Sequence, residues 1–272
     1  MTPNGWRCPT CRDALTEHQR ERVWRCGNGH AFDVAREGYV NLLVTHQRRQ
    51  RDPGDSPDMV HARRAFLDGG WYEPLRTALA GFAPADGGTA CDAGCGEGYY
   101  TRDWPSLWGV DISKPAVRLA AKRAGGAGTR ARYAVASVYD LPLFDASVDV
   151  LVSVFAPLHS PEFERVVRPG GRVVTVTPGP DHLDGLARLL FAEVEPHPAG
   201  GPFEREGATT ALRPEGTTRV SYELEVRGDG AVSALLGMTP YAWYVSPAVR
   251  EEIAALPSLS TTADFQVSLY RR

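Results

Sequence analysis

Two groups of residues have types and spacings that could do chemistry. The first is Cys8-Pro9-Thr10-Cys11 together with Cys26-Gly27-Asn28-Gly29-His30, two short pairs separated by fourteen residues. Three thiolates and one imidazole on two tight knuckles suit a tetrahedral ion, and four protein ligands leave no open position for water. Cys8, Cys11, Cys26 and His30 are therefore read as ligands of a structural Zn2+. Pro9 and Gly27-Asn28-Gly29 are turn formers at the knuckles. A redox role for Cys-x-x-Cys requires a βαβ context, which is absent around it. His18 and His46 fall outside the spacing. The second group is Asp92-Ala93-Gly94-Cys95-Gly96-Glu97-Gly98 with Asp111 seventeen residues beyond Gly94. Its glycines allow a tight turn and a close approach of backbone N–H groups to a ligand.

The flanking pattern predicts the elements that position these groups. From Thr89 onward, short apolar strands alternate with helical segments, which indicates a parallel α/β sheet. Strands are expected at 89–93, 107–110, 131–136, 148–154 and 172–177, with a helix over 115–123. The segment between Gly98 and Leu107 is short and contains Pro105, so a first helix of only about two turns is expected there. Ser137-Val138-Tyr139-Asp140-Leu141-Pro142 is a polar turn at a strand end, and Arg168-Pro169-Gly170-Gly171 leads sharply into the fifth strand. Upstream, Ser56 or Asp58 caps a helix with Met59, Ala62, Phe66 and Leu67 on one stripe, and a second helical piece spans about 72–82. Cys91, Tyr99, Tyr100, Trp104 and Trp108 read as core residues. The organisation expected is a zinc-binding module at 1–45, a helical linker at 46–85 and the sheet domain at 86–272.

Composition narrows the alternatives. With 43% hydrophobic and 23% charged residues, the 272-residue chain can bury a proper core without disulfides. No apolar run is long enough to cross a bilayer, and the start has no signal-peptide pattern, so a cytoplasmic protein with reduced thiols and no membrane partner is expected. Net charge is -3, yet residues 1–51 hold nine Arg against five acids. That asymmetry suits a polyanion partner for the basic part, with a solvated Arg-rich surface as the alternative.

The order Asp92, Gly-x-Gly-x-Gly, Asp111, polar turn and Pro-Gly-Gly resembles class I S-adenosylmethionine methyltransferases. A dinucleotide site would place its third Gly one position later. Over nearly the whole chain, the zinc knuckle, Gly38-Tyr39-Val40-Asn41-Leu42-Leu43, Arg51-Asp52-Pro53-Gly54-Asp55-Ser56, the 62–68 and 92–101 segments, Thr177-Pro178-Gly179-Pro180-Asp181-His182-Leu183 and Met238-Thr239-Pro240 resemble bacterial 23S rRNA guanine-N1 methyltransferases of the RlmA type. The fold implied is α/β, a Rossmann-like class I sheet with a small N-terminal zinc-binding module.

The resemblance implies methyl transfer to N1 of a guanine in a domain II stem-loop near the peptide exit tunnel, by a homodimer that holds 23S rRNA and needs no other protein partner. It also leaves open a macrolide-resistance role in an antibiotic producer. Cofactor contacts follow at Asp92, Gly94, Gly96, Asp111, Ser137 and Val138, and the family's correspondence adds Tyr72, Glu97, Gly98 and His182. Tyr72 and His182 read alone would pass as ordinary packing and surface positions. Phe155, past the fourth strand, is expected to stack on the target base or else to fill the core. Asp181 stands where a general base could reach it. Arg48, Arg49, Arg51, Arg63 and Arg64 are expected to grip phosphates. The rival readings are a small-molecule methyltransferase, which leaves the zinc module without a task, and a nucleic-acid binder with a disused cofactor fold.

Overall fold

The computed structural model describes residues 5–44, 54–85, 87–127, 130–198, 201–205 and 210–272. Arg48, Arg49 and Arg51, like His46, lie outside them. The chain begins with β1 (Leu15–His18), β2 (Val23–Cys26) and β3 (Ala31–Asp33), an antiparallel three-stranded sheet in the order β1-β2-β3. β4 (Tyr39–Asn41) does not join them; it pairs in parallel with a strand of the larger sheet. This stretch lies within the 1–45 expected for the module and ties it to the larger sheet.

Two helices follow, α1 (Pro57–Asp68) and α2 (Glu73–Ala80). Ser56 caps α1, its hydroxyl accepting from the Met59 N–H at 3.3 Å, and Pro57 suits a first helical position that needs no donor. The sheet domain then runs β5 (Ala90–Ala93), β6 (Leu107–Asp111), α3 (Lys114–Ala127), β7 (Arg132–Val135), β8 (Val148–Val154), α4 (Ser160–Val166) and β9 (Val167–Pro178). It continues with α5 (Asp184–Leu190), α6 (Pro202–Arg205), β10 (Arg213–Arg227), α7 (Ala231–Met238), a 3-10 turn at Pro240–Trp243, α8 (Pro247–Ala254) and β11 (Ser258–Arg271).

The eight strands are ordered β10-β11-β9-β8-β5-β6-β7-β4. Strands β4 to β9 pair in parallel, and β11 returns antiparallel between β9 and β10. Strand order reverses between β5 and β8, the switch point at which open α/β sheets bind ligands. β8 is apolar almost throughout because both its faces are covered.

One expected element is absent. Residues 99–106 form turns and no helix. Thr101 donates to the buried Asp92 carboxylate at 2.6 Å, and Pro105 sits just before β6, so the connection is held by side-chain bonds and has no room for a helical ladder.

Each sheet face carries its own core. Phe66, Leu67, Tyr72, Leu75 and Leu79 from α1 and α2 pack with Val152, Val174 and Phe265 on one face. On the other, Leu151, Val173 and Tyr270 of the sheet join Phe163 of α4 and Trp6, Leu15 and Trp24 of the module. The module is thus docked by its own apolar side chains. Trp6 is 1% exposed and meets Trp108 edge-on at 4.6 Å, the Arg7 N–H donates to the Pro142 carbonyl at 2.8 Å, and Arg12 forks onto Asp140.

Candidate active site and metal centre

The module's two knuckles converge. The side-chain donor atoms of Cys8, Cys11, Cys26 and His30 all lie within 4.8 Å of one another, with Cys11 Sγ 3.6 Å from Cys26 Sγ and Cys26 Sγ 3.3 Å from His30 Nδ1. Tetrahedral zinc with Zn–S of about 2.3 Å and Zn–N of about 2.0 Å sets these separations at roughly 3.8 and 3.5 Å, so the cluster fits the ion. His30 presents Nδ1. Local turns create the convergence: Arg12 N–H bonds Cys8 C=O at 2.9 Å, and Gly29, at φ 84°, bonds Cys26 C=O at 3.0 Å. The Asn28 side chain and the Asp13 backbone draw the Cys11 thiol down to about 6, toward the thiolate that metals bind.

The larger site is a cavity of about 700 Å3 at the carboxyl ends of β5, β6, β8 and β9, within the roughly 300–1,000 Å3 of small-molecule sites. Its floor is the glycine loop. Gly94 has φ 85°, and a Cβ there would stand 2.2 Å from Ala156 Cβ, so the loop and the end of β8 approach as only glycine allows.

Besides Asp55, which Arg63 holds, three carboxylates line the cavity. Asp111 at the end of β6 accepts from the Gly96 and Ser113 N–H groups at 2.9 and 2.8 Å. Burial raises its carboxyl above the ordinary range despite those bonds. Asp92, 2% exposed, is pushed up to about 7 by burial, with Thr101 opposing and Asp111 adding. Glu97 is likewise raised to about 7 by burial, although Arg123 donates to it at 2.6 Å and opposes the shift. Its other oxygen, Oε1, is buried with no hydrogen-bond partner among the described residues.

Most residues expected from sequence meet in this cavity. Tyr72, Asp92, Gly94, Gly96, Glu97, Asp111, Ser137, Val138, Phe155 and His182 all line it. Phe155 is 42% exposed at φ 52°, a left-handed conformation uncommon for a bulky residue, and stacks on His182 at 5.7 Å and 29°. The core alternative for it is not what the structure displays. His182 is drawn down to about 4 by burial, with His197 adding to the effect, so its ring is neutral near pH 7.

Three expected residues are placed differently, and a fourth, Arg64, keeps an exposed position. Gly98 packs under α3 against Ala120 and Tyr133 and is not a cavity residue. Asp181 is exposed and paired with Arg219 at 2.5 Å, outside the cavity lining, because the chain turns there toward β10. Arg63 is engaged by Asp55 and by the Met238 carbonyl and lines the cavity, so it is not free for phosphate. Arg64 is exposed and paired with Asp68 at 3.3 Å.

Sequence reasoning missed the roof. Gly54 and Asp55 before α1, Met59 within it, Met238 at the end of α7, and Thr239, Pro240, Tyr241 and Trp243 beyond it complete the cavity lining. Tyr99 and Tyr100, read as core, also line it. Their sequence signal was the family resemblance of the 51–56, 92–101 and 238–240 segments, which carried no role for these residues.

A class I sheet, an open cavity at its switch point, a glycine loop whose Gly94 leaves no room for a Cβ, an acceptor on β6 and a Glu97 oxygen without a partner among the described residues suit a ligand with hydroxyl and ammonium donors. These features define an S-adenosylmethionine-dependent methyltransferase that carries a zinc ribbon. Residues 6–51 match the family described as RlmA, N-terminal, and residues 91–175 match a methyltransferase domain. A 23S rRNA (guanine(748)-N(1))-methyltransferase of Streptomyces fradiae is 39% identical over 93% of this chain and 91% of its own. A protein of Micromonospora griseorubida named for 23S rRNA (guanine-N(1)-) methylation is 38% identical over 97% and 96%. The chain belongs to the family of 23S rRNA guanine-N1 methyltransferases. Among solved structures, the YcgJ protein of Bacillus subtilis shares the fold, with a TM-score of 0.50 and 17% identity over 74% of this chain and 99% of that one.

Proposed function

We propose that this protein transfers a methyl group from S-adenosylmethionine to N1 of a guanine in a domain II stem-loop of 23S rRNA near the peptide exit tunnel. The observation that carries the reading is that Phe155 is displayed at the mouth of a cofactor-shaped cavity while a metal-binding module is docked on the opposite sheet face of the same chain. The cofactor supplies an electrophilic methyl on a cationic sulfonium. Asp111 would hold the ribose hydroxyls, Ser137 and Val138 would flank the adenine, and Asp92, Gly94, Gly96 and Glu97 would receive the methionine end, with Tyr72 and His182 beside them, while Gly98 supports the loop from beneath.

Guanine N1 lies on the pairing edge, so the base has to leave its stack, and Phe155 offers it a replacement surface. Alignment of N1 with the methyl then supplies most of the rate. The N1 proton is assigned to solvent, since Asp181 is held by Arg219. The module at 1–45, the segment 46–85 with its Arg48, Arg49 and Arg51, and Arg64 hold phosphates, while 86–272 performs the transfer. The working unit is a cytoplasmic homodimer. Among the described residues, no helix is long and apolar enough to cross a membrane.

Incubation with 23S rRNA followed by primer extension tests the reading, because an N1 methyl blocks pairing and stops reverse transcriptase. A new stop at one domain II guanine is expected, and position 748, named for the Streptomyces fradiae relative, is the first to inspect. Methyl transfer to small phenols or amines without any RNA stop would overturn it.

A further inference from the structure

A buried carboxylate behind the cavity has no part in the function described above. Asp264 lies in the middle of β11, among the buried Ala263, Phe265, Gln266 and Val267, and its side chain is 0% exposed. Arg219, on the neighbouring edge strand β10, grips it with both arms of the guanidinium, at 2.7 and 2.8 Å. Burial pushes the Asp264 carboxyl up, but the Arg219 fork and the Asp181 N–H outweigh it and hold it below the ordinary carboxylate range. A carboxylate is costly to bury even with a half-exposed arginine reaching in from the sheet edge, so its place here answers a demand other than packing.

That demand is visible in the loop after β9. Asp264 accepts the Asp181 N–H on Oδ2 at 2.9 Å, and its backbone carbonyl accepts the Gly179 N–H at 2.9 Å. The carboxylate fills the space where a side chain at residue 179 would go: a Cβ on Gly179 would lie 2.3 Å from it. Two residues further along β11 the other way, the Thr262 carbonyl takes the Leu183 N–H at 2.8 Å, with Leu183 at φ 57°. The loop is thereby bent so that His182 Nδ1 faces the Asp264 backbone N–H at 3.3 Å. A backbone N–H only donates, so Nδ1 is the acceptor and the neutral ring carries its proton on Nε2. Nε2 stands 3.5 Å from the Tyr72 hydroxyl, which it therefore addresses as a donor. The Tyr72 proton is then left to donate into the cavity that both residues line.

We infer that Asp264 and Arg219 are positioning residues that fix the direction of a hydrogen-bond chain, from the Asp264 N–H through His182 to Tyr72, so that Tyr72 presents a donor to an acceptor atom of the cavity's ligand. This rests on the cofactor reading of the cavity and adds which remote residues aim one of its donors.

The test uses the full-length, zinc-loaded protein with Asp264→Asn and Arg219→Gln. Arg219→Lys, which keeps a cation beside Asp264 but not the fork, serves as a third variant where either of the first two fails to fold. Nitrogen-15 NMR of the histidines, without any ligand, is expected to show His182 protonated on Nε2 in the parent protein and a mixture of tautomers in the variants. Calorimetry with S-adenosylhomocysteine is expected to show a loss of about tenfold in affinity in either variant, the size of one neutral hydrogen bond. In a Tyr72→Phe background the same substitutions should change affinity less than twofold. An unchanged His182 tautomer, or an equal loss with and without the Tyr72 hydroxyl, overturns the inference. A parent protein that binds no S-adenosylhomocysteine overturns the cavity reading itself, whatever the NMR shows.

Discussion

The zinc ribbon buries Trp6, Leu15 and Trp24, but none of them against a core of its own; all three enter the cluster that covers the far face of the eight-stranded sheet. The sheet domain instead closes a core on each of its faces from its own strands and helices, with the module's side chains added at one margin. The difference lies in what holds local geometry. Three strands of three or four residues cannot shield a hydrophobic interior, so the ribbon depends on four metal ligands and on borrowed surface. The sheet fixes its catalytic end by burial, and so it can keep charged groups such as Asp92 and Glu97 in dry surroundings with their carboxyls near 7.

If that contrast holds, metal removal has the largest effect. Chelation, or Cys26→Ser, is expected to unfold the ribbon while β5 to β9 stay protected; structural zinc in small peptides is worth about 10–16 kcal/mol. Hydrogen exchange with zinc quantified by mass spectrometry checks this, and a ribbon still protected without zinc breaks the comparison. Next in size, Trp6→Ala should cost about 3–5 kcal/mol in denaturant unfolding and expose Trp108, because the anchor is 1% exposed. A loss below about 1 kcal/mol would mean that the docking is incidental.

On the sheet side the effects should be smaller, in ligand binding for the cavity acceptor and in stability for the glycine loop. Asp111→Ala is expected to weaken S-adenosylmethionine binding on the order of 100-fold, since hydrogen bonds to a charged acceptor are worth about 1.5–3 kcal/mol, with melting little changed. Gly94→Ala should cost about 1–3 kcal/mol of stability through its collision with Ala156, and Ala156→Gly should return part of it, the φ of 85° accounting for the remainder.

The smallest effect is on pH. Asp92 and Glu97 have raised carboxyls, so their contribution to stability is present below about pH 4 and is lost as pH rises through about 7. His182 is depressed from 6.5 to about 4, so its contribution is present above 6.5 and is lost as pH falls through about 4. Ionisation of the two carboxyls should make binding of the cationic cofactor several-fold tighter near pH 8 than near pH 6. Affinity that is flat across that interval would show that neither carboxyl titrates in the folded protein.

The legible parts of this chain are those whose constraint is local. Cys8, Cys11, Cys26 and His30 announce a tetrahedral site by spacing, and strand 148–154 reads straight off its apolar run, matching β8 residue for residue. Gly94 and Asp111 were visible because a glycine turn and a carboxylate at a strand end belong to adjacent strands. Residues 99–106 misled because Thr101 bonds Asp92 across the loop, which no periodicity records. That Tyr39–Asn41 also pairs with the large sheet was not legible, because its partner strand lies more than ninety residues away, at Tyr133 to Val135.

The amino-acid sequence on its own determined the metal set, the order of strands and helices along most of the sheet, and the kind of ligand that its glycine loop accepts. These follow from periodicity and from short-range spacing. Tertiary structure alone decided that Arg63 closes the cavity with Asp55 and Met238, that Asp181 belongs to Arg219, and that Asp264 aims His182. Each of these joins segments far apart in the chain, and a charged residue's partner is chosen by whichever opposite charge or orphaned carbonyl the packed sheet brings within reach.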